Sequence, residues 1–281
     1  MTNPEELATL RRLLDDPSPV VRQAVLTRLK AAGLPAVIWL ESLAHDEALA
    51  ACAGRLLVEL RTPETAARAF LAHIRDPRCD LEEGCLLLER VTDPALTADA
   101  YSAELDRLAD RTRDLITEPL DVRSKCRLLC RVIFGEEGYR GAQEHFSAPD
   151  SSLLSRVMHT HRGIPISLCL VFLLVARRLG LPVEPVGLPG RFMVGLFRGP
   201  DPLYVDCYEG GAFRTRAEVQ LLLRDNHLPA QAEFLLPVTT HQTLARCCRN
   251  LVSQFEAQGD AHRSRLFLTF VRALEPTDER A

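Results

Sequence analysis

Apolar positions recur with a helical period through the first third of the chain. Val20–Leu29 carries the spacing of an amphipathic helix, set off by Asp15-Asp16-Pro17-Ser18-Pro19 and stopped at Gly33. Leu34–Leu43, Glu47–Leu60 and Thr65–Ile74 continue in the same way, and Asp76-Pro77 marks a boundary. Leu81–Val91, Ala98–Ile116 and Val122–Ile133 read as further amphipathic helices, and Ser151–His159 as a short one. Pro165–Leu179 is apolar nearly all round, which predicts a buried central helix. Pro165 suits its first turn and Gly180 its stop. The period then changes. Val183–Val186, Phe192–Phe197 and Leu203–Tyr208 are short, β-rich runs bounded by Gly and Pro, and they predict an antiparallel sheet on the central helix. Gly199-Pro200-Asp201-Pro202 and Glu209-Gly210-Gly211 read as turns. Arg216–Leu223 returns to helix, and from Thr240 two helices are joined at Gln258-Gly259-Asp260. The expected fold class is α+β, mostly α.

Composition narrows the partners. The 281 residues are 47% hydrophobic with a net charge of −4, so a folded core is expected and neither nucleic acid nor membrane is. The longest apolar run, Ile164–Ala176, is shorter than the roughly 20 residues of a membrane span. Nine cysteines, an odd number at irregular spacings within apolar helices, predict reduced thiols and a cytoplasmic protein. The polar, acidic start from Met1 to Asp16 does not resemble a signal peptide. The Asp-Pro followed by a Val-Arg helix near residue 20 resembles a HEAT repeat. Leu251, Phe255, Ser264, Leu268 and Pro276 fall where a tetratricopeptide repeat places its bulky, small and proline positions. Helical repeats of both kinds offer extended surfaces to protein partners.

Between these flanks, several ordered blocks stand together. They are Asp80-Leu81-Glu82-Glu83, Phe134-Gly135-Glu136-Glu137-Gly138-Tyr139-Arg140-Gly141, Arg162-Gly163-Ile164-Pro165-Ile166-Ser167-Leu168 and Val186-Gly187-Leu188-Pro189-Gly190. They resemble the SirB-type transglutaminase-like family. The resemblance divides the chain into a HEAT-like region (1–75), a transglutaminase-like domain (76–238) and a tetratricopeptide-like hairpin (239–281). It implies a papain-like core in which a cysteine opens the central helix, a histidine on the next strand takes its proton, and an aspartate orients that histidine.

Mapped onto this chain, the triad is degenerate. The glycine-x-cysteine register falls on Gly163-Ile164-Pro165, while the SirB-type pattern offers Ser167 near the same turn. Cys169 lies deeper in the helix. Arg191 occupies the histidine position and Asp206 the aspartate position. A guanidinium stays protonated at any working pH and cannot serve as a general base, a role that typically contributes about 10²–10⁴-fold. Arg191 and Asp206 are expected to form a bidentate ion pair across two strands. The alternative is a small-anion pocket in which Arg191 and the N–H groups near Ile166 and Ser167 converge. Either His159 or His161 would have to replace the missing base, and both read as loop histidines. Strand alternation sends Asp206 and Cys207 to opposite faces. His159, His161 and Cys207 lack the spacing of a zinc site, so no metal or cofactor is expected. Cys126 and Cys130, and Cys247 and Cys248, read as helix packing. The candidate site residues are thus Ser167, Arg191, Asp206 and His161, with Pro165 at the other nucleophile register. They fit a non-catalytic binding or scaffolding module, a divergent hydrolase or acyl-transfer enzyme built on Ser167 or a thiol, or a small-anion binder.

Overall fold

A computed structural model describes residues 4–43, 46–143, 147–199 and 201–275. Pro200 and Pro276, which the sequence places in a turn and in the last repeat, lie outside the described residues. The chain divides into two compact units, one holding residues up to Arg75 together with Leu86–Leu96, the other Asp76–Cys85 and everything from Thr97. Among the described residues, no helix is long and apolar enough to cross a membrane.

The first unit contains α1 (Pro4–Leu13), α2 (Pro19–Ala32), α3 (Leu34–Ser42), α4 (Ala50–Leu60) and α5 (Pro63–His73). Prolines open α2, α3 and α5 at positions where a missing N–H costs little. Leu14, Leu29, Leu40, Ala53 and Leu60 interlock as its core. Within this unit Glu41 accepts from Arg61 (2.9 Å) and Arg90 (3.0 Å), a polar tie among its helices.

The second unit is mixed. After α6 (Leu81–Arg90), whose first half belongs here, come α7 (Ala98–Arg113) and α8 (Val122–Cys130). The pattern predicted α8 to run to Ile133, but it passes into a π-helical turn over Arg131–Glu136. Val132 and Ile133 stay fully buried there, so periodicity alone does not reveal the change. Next are β1 (Arg140–Gly141), α9 (Leu154–Thr160), β2 (Arg162–Gly163) and α10 (Pro165–Arg178). Then follow β3 (Glu184–Leu188), β4 (Arg191–Leu196), β5 (Leu203–Asp206), β6 (Ala212–Thr215), α11 (Arg216–Asp225), α12 (Thr240–Ala257) and α13 (Ala261–Leu274).

The central helix is as the sequence predicts. Every residue of α10 from Ile166 to Ala176 is buried, Phe172 completely. Gly180, at φ +65°, lets the chain turn back after it. The sheet is antiparallel in the order β3-β4-β5-β6. α10 packs on β4. Val186, Leu188, Met193 and Tyr204 face the other way, against Val219 and Leu223 of α11. The molecule is therefore α+β and mostly α, with a central helix on a small antiparallel sheet. The fourth strand, β6, was not expected, because Ala-Phe-Arg-Thr is too short and polar to stand out. The predicted third strand ends early, since Cys207–Glu209 form a 3₁₀ turn. β1 and β2 form a two-residue parallel ladder (Gly141↔Gly163) that ties the loop before α9 to the start of α10.

Gly211 shows how tightly this region is built. Its φ is +80°, and a Cβ would stand 2.7 Å from both Cys130 Sγ and Phe134 Cδ2. Gly211→Ala combines a left-handed backbone with overpacking and is expected to cost about 3 kcal/mol. In urea unfolding this appears as a lower midpoint with an unchanged m-value.

Candidate functional site

The start of α10 presents a proline. Ile164 is its N-cap in an extended conformation without a side-chain cap, and Pro165 is the first helical residue, partly exposed. Ser167 lies two residues further on and is completely buried. Its hydroxyl donates to the main-chain carbonyls of Ser151 (2.7 Å) and Ile164 (3.0 Å). Gly163 is required beside it, because a Cβ there would sit 2.6 Å from Ser167 Oγ. Ser151 is itself held from α12, where Gln254 Nε2 donates to its hydroxyl at 3.4 Å. Ser167 is thus built into the scaffold that positions the helix start.

Cys169 is no more available. It is fully buried and its thiol donates to the Phe192 carbonyl at 3.4 Å. Cys207, just past β5, is buried alongside it, and burial followed by a hydrogen bond with Cys169 raises its pKa well above the usual thiol value. Burial likewise pushes Cys126 and Cys130 up to about 12. Thiols in this state are protonated and inert. Cys247 and Cys248 are buried as well.

Arg191 and Asp206 do meet, but not as a bidentate pair. Arg191 Nη2 lies 3.1 Å from Asp206 Oδ2 and 2.9 Å from Glu209 Oε1, so one nitrogen is shared between two carboxylates. Asp206, with no exposed surface, also accepts from Arg214 Nε on β6 (3.2 Å) and from the Glu209 N–H (3.3 Å). The second guanidinium, supplied by the unexpected strand, takes the place that a bidentate Arg191 would have filled. Arg191 also lies over the Tyr208 ring, 5.9 Å from its centroid. Tyr208 covers Gly141 so closely that a Cβ there would be 2.5 Å from the ring. The Nε of Arg191 is buried and has no acceptor.

His161 belongs to a different cluster. It ends α9 in a left-handed conformation (φ 55°), stacks on Tyr139 with centroids 4.3 Å apart, and has Nδ1 2.6 Å from the Glu137 carbonyl. His159 is exposed. Neither is hydrogen-bonded to Ser167, whose hydroxyl partners are both carbonyls. Ligand atoms of Glu104, Glu137 and His161 lie within 4.8 Å of one another, a grouping invisible in the sequence because its members are far apart along the chain. Arg107 bridges the two carboxylates, donating from Nη2 and Nε to Glu104 (2.7 and 2.8 Å) and from Nη1 to Glu137 (2.7 Å). That guanidinium offsets one of the two negative charges and holds both carboxylates in place, so the cluster reads as an ion-pair network.

Residues 99–249 match the Transglutaminase-like superfamily. The UPF0162 protein of Xylella fastidiosa (strain Temecula1) is 31% identical over 191 residues, covering 66% of this chain and 68% of that protein. The UPF0162 protein of Vibrio cholerae is 25% identical over 132 residues, 47% of this chain and 49% of its own. Human F-box only protein 21 is 27% identical over 136 residues, 46% of this chain and 21% of its own. No solved structure matches the chain. With the matched segment spanning the central helix, the sheet and both Arg191 and Asp206, the chain belongs to the transglutaminase-like superfamily.

Proposed function

We propose that this protein is a non-catalytic transglutaminase-like protein that acts as a binding or scaffolding module. The observation that carries the proposal is Arg191, a permanent cation in the seat of the proton acceptor, held by Asp206 and Glu209. Supporting it, Pro165 supplies no nucleophile at the helix start, and the Ser167 hydroxyl is committed to two carbonyls. The flanking helices fit HEAT-like and tetratricopeptide-like elements beside a SirB-type core, and such helices serve protein partners. An open groove along α2, lined by Val20, Ala24 and Ala31 with Val20 78% exposed, is a surface of that kind. Nine cysteines outside any disulfide suit a reducing cytoplasm.

Purified protein is expected to turn over chromogenic esters and amides, and to couple amines to glutamine peptides, no faster than buffer. Turnover that disappears in Ser167→Ala would refute the proposal in favour of a divergent hydrolase. Ser167→Ala itself is expected to cost only about 1 kcal/mol of stability, read by urea unfolding. Both carbonyls keep a partner without the hydroxyl: Ser151 O accepts from Ile164 N (3.0 Å) and Ile164 O from Leu168 N (3.1 Å).

A second function is favoured by one observation, the buried and unpartnered Nε of Arg191. It suits a small-anion site at this position, with N–H groups at the start of α10 as further donors.

A further inference from the structure

Among the described residues, several arginines shielded from solvent are ion-paired with acids. Arg178 is held by Glu82 and Asp106, Arg61 and Arg90 by Glu41, and Arg191 and Arg214 by Asp206. Arg246 on α12 differs. Its Nη1 donates to the Leu188 carbonyl at 3.4 Å, the long limit of a hydrogen bond. Among the described residues it makes no ion pair with an acid. Its charged neighbour is a like charge, Arg249, which is occupied by both carboxylate oxygens of Glu275 at 2.6 Å. Burial first, then Arg249, lowers the Arg246 pKa from its ordinary value, so the guanidinium is poorly solvated as well as unpaired. The side chain is only partly buried, so it keeps some access to solvent.

The surroundings define what suits it. Leu188 ends β3 at the hairpin into β4, and the glycines on either side of Leu188-Pro189 are covered by apolar side chains. Val238 stands over Gly187 and Leu228 over Gly190, 3.3 and 3.2 Å from where a Cβ would be. We infer that Arg246 anchors a carboxylate-binding site beside the β3–β4 hairpin, whose ligand is an organic monocarboxylate with an apolar body. A guanidinium fork matches a carboxylate in two parallel bonds. One unbalanced cation suits one negative charge, whereas a phosphate dianion would want a second cation, and Arg249 is neutralised. Val238 and Leu228, packed over that hairpin, make its surroundings apolar, which suits a hydrocarbon portion. The site does not depend on catalytic silence at Arg191, so turnover detected in the assays above would leave it standing.

The test is thermal unfolding of the full chain titrated with sodium benzoate or butyrate, ionic strength held with sodium chloride, against inorganic phosphate. Benzoate is expected to give a saturable rise in Tm of about 2–4 °C, retained in Arg191→Ala and absent in Arg246→Leu. Should Arg246→Leu fail to fold, Arg246→Lys carries the test, because it keeps the charge and loses the fork. It is then expected to weaken benzoate binding about tenfold or more. No rise with either carboxylate, a rise unchanged in the Arg246 variants, or a rise with phosphate alone overturns the inference.

Discussion

Asp206→Asn is expected to lower the unfolding free energy by about 3 kcal/mol, the range for removing one partner from a buried ion pair. The carboxylate has no exposed surface, and two guanidinium nitrogens lie 3.1 and 3.2 Å from the same oxygen, Oδ2. Asparagine keeps the shape but removes the charge that makes burying two cations tolerable, and its amide N–H groups bring further donors where only acceptors fit. Arg191 and Arg214 keep some contact with water, with side chains 19% and 27% exposed, which holds the estimate at the lower end of that range. Urea unfolding followed by circular dichroism reads the change as a fall in midpoint. A loss below about 1 kcal/mol would mean that the clasp is not structural. Asp206 would then be held for something other than neutralising two arginines.

The central helix was legible because burial on all sides leaves an unbroken apolar run with Pro165 and Gly180 as punctuation. The first three strands of the sheet were legible for a similar reason, since short apolar runs bounded by Gly and Pro have few other readings. The triad positions were legible as positions but not as geometry. Arg191 was matched to Asp206 by analogy with the histidine–aspartate pair, and the two do meet. What the sequence concealed is the rest of the clasp. Arg214 reaches Asp206 only because β6 pairs with β5 (Tyr204↔Arg214), and Glu209 only because the strand breaks into a 3₁₀ turn at Cys207. The alternation of Phe213 and Arg214 after Gly210-Gly211 was the available signal, but two residues are too few to separate a strand from a loop. Ser167 likewise looked accessible by its place near the helix start. Its burial follows from the close approach of the Ser151 segment, a contact 16 residues away that periodicity does not encode. Arg246 and the Glu104–Arg107–Glu137 network were missed for the same reason: a charged residue on an amphipathic helix reads as solvated until its neighbours are placed.

Restoring a thiol and a base together is expected to produce the largest chemical change this chain can show. In Pro165→Cys combined with Arg191→His, the introduced thiol is expected to react with iodoacetamide at pH 7 about tenfold faster than an ordinary cysteine, as a pKa lowered by about one unit would give. Two local features support this. The α10 N-terminus is open, because Ile164 provides no side-chain cap, so its positive end is available to a thiolate. Asp206 beside position 191 would orient an imidazole as it now holds the guanidinium, with Arg214 keeping the carboxylate in place. Exchanging the proline is tolerable, since an N–H at the first helical position has no intrahelical acceptor to satisfy. The background is low, because all nine native cysteines are buried. Mass spectrometry of the alkylated peptide at a series of pH values measures the rate and the pKa together. A thiol at 165 no more reactive than free cysteine, with and without Arg191→His, would show that positions 165 and 191 do not face each other across a cleft. The degenerate-triad account of Arg191 would then have to be abandoned.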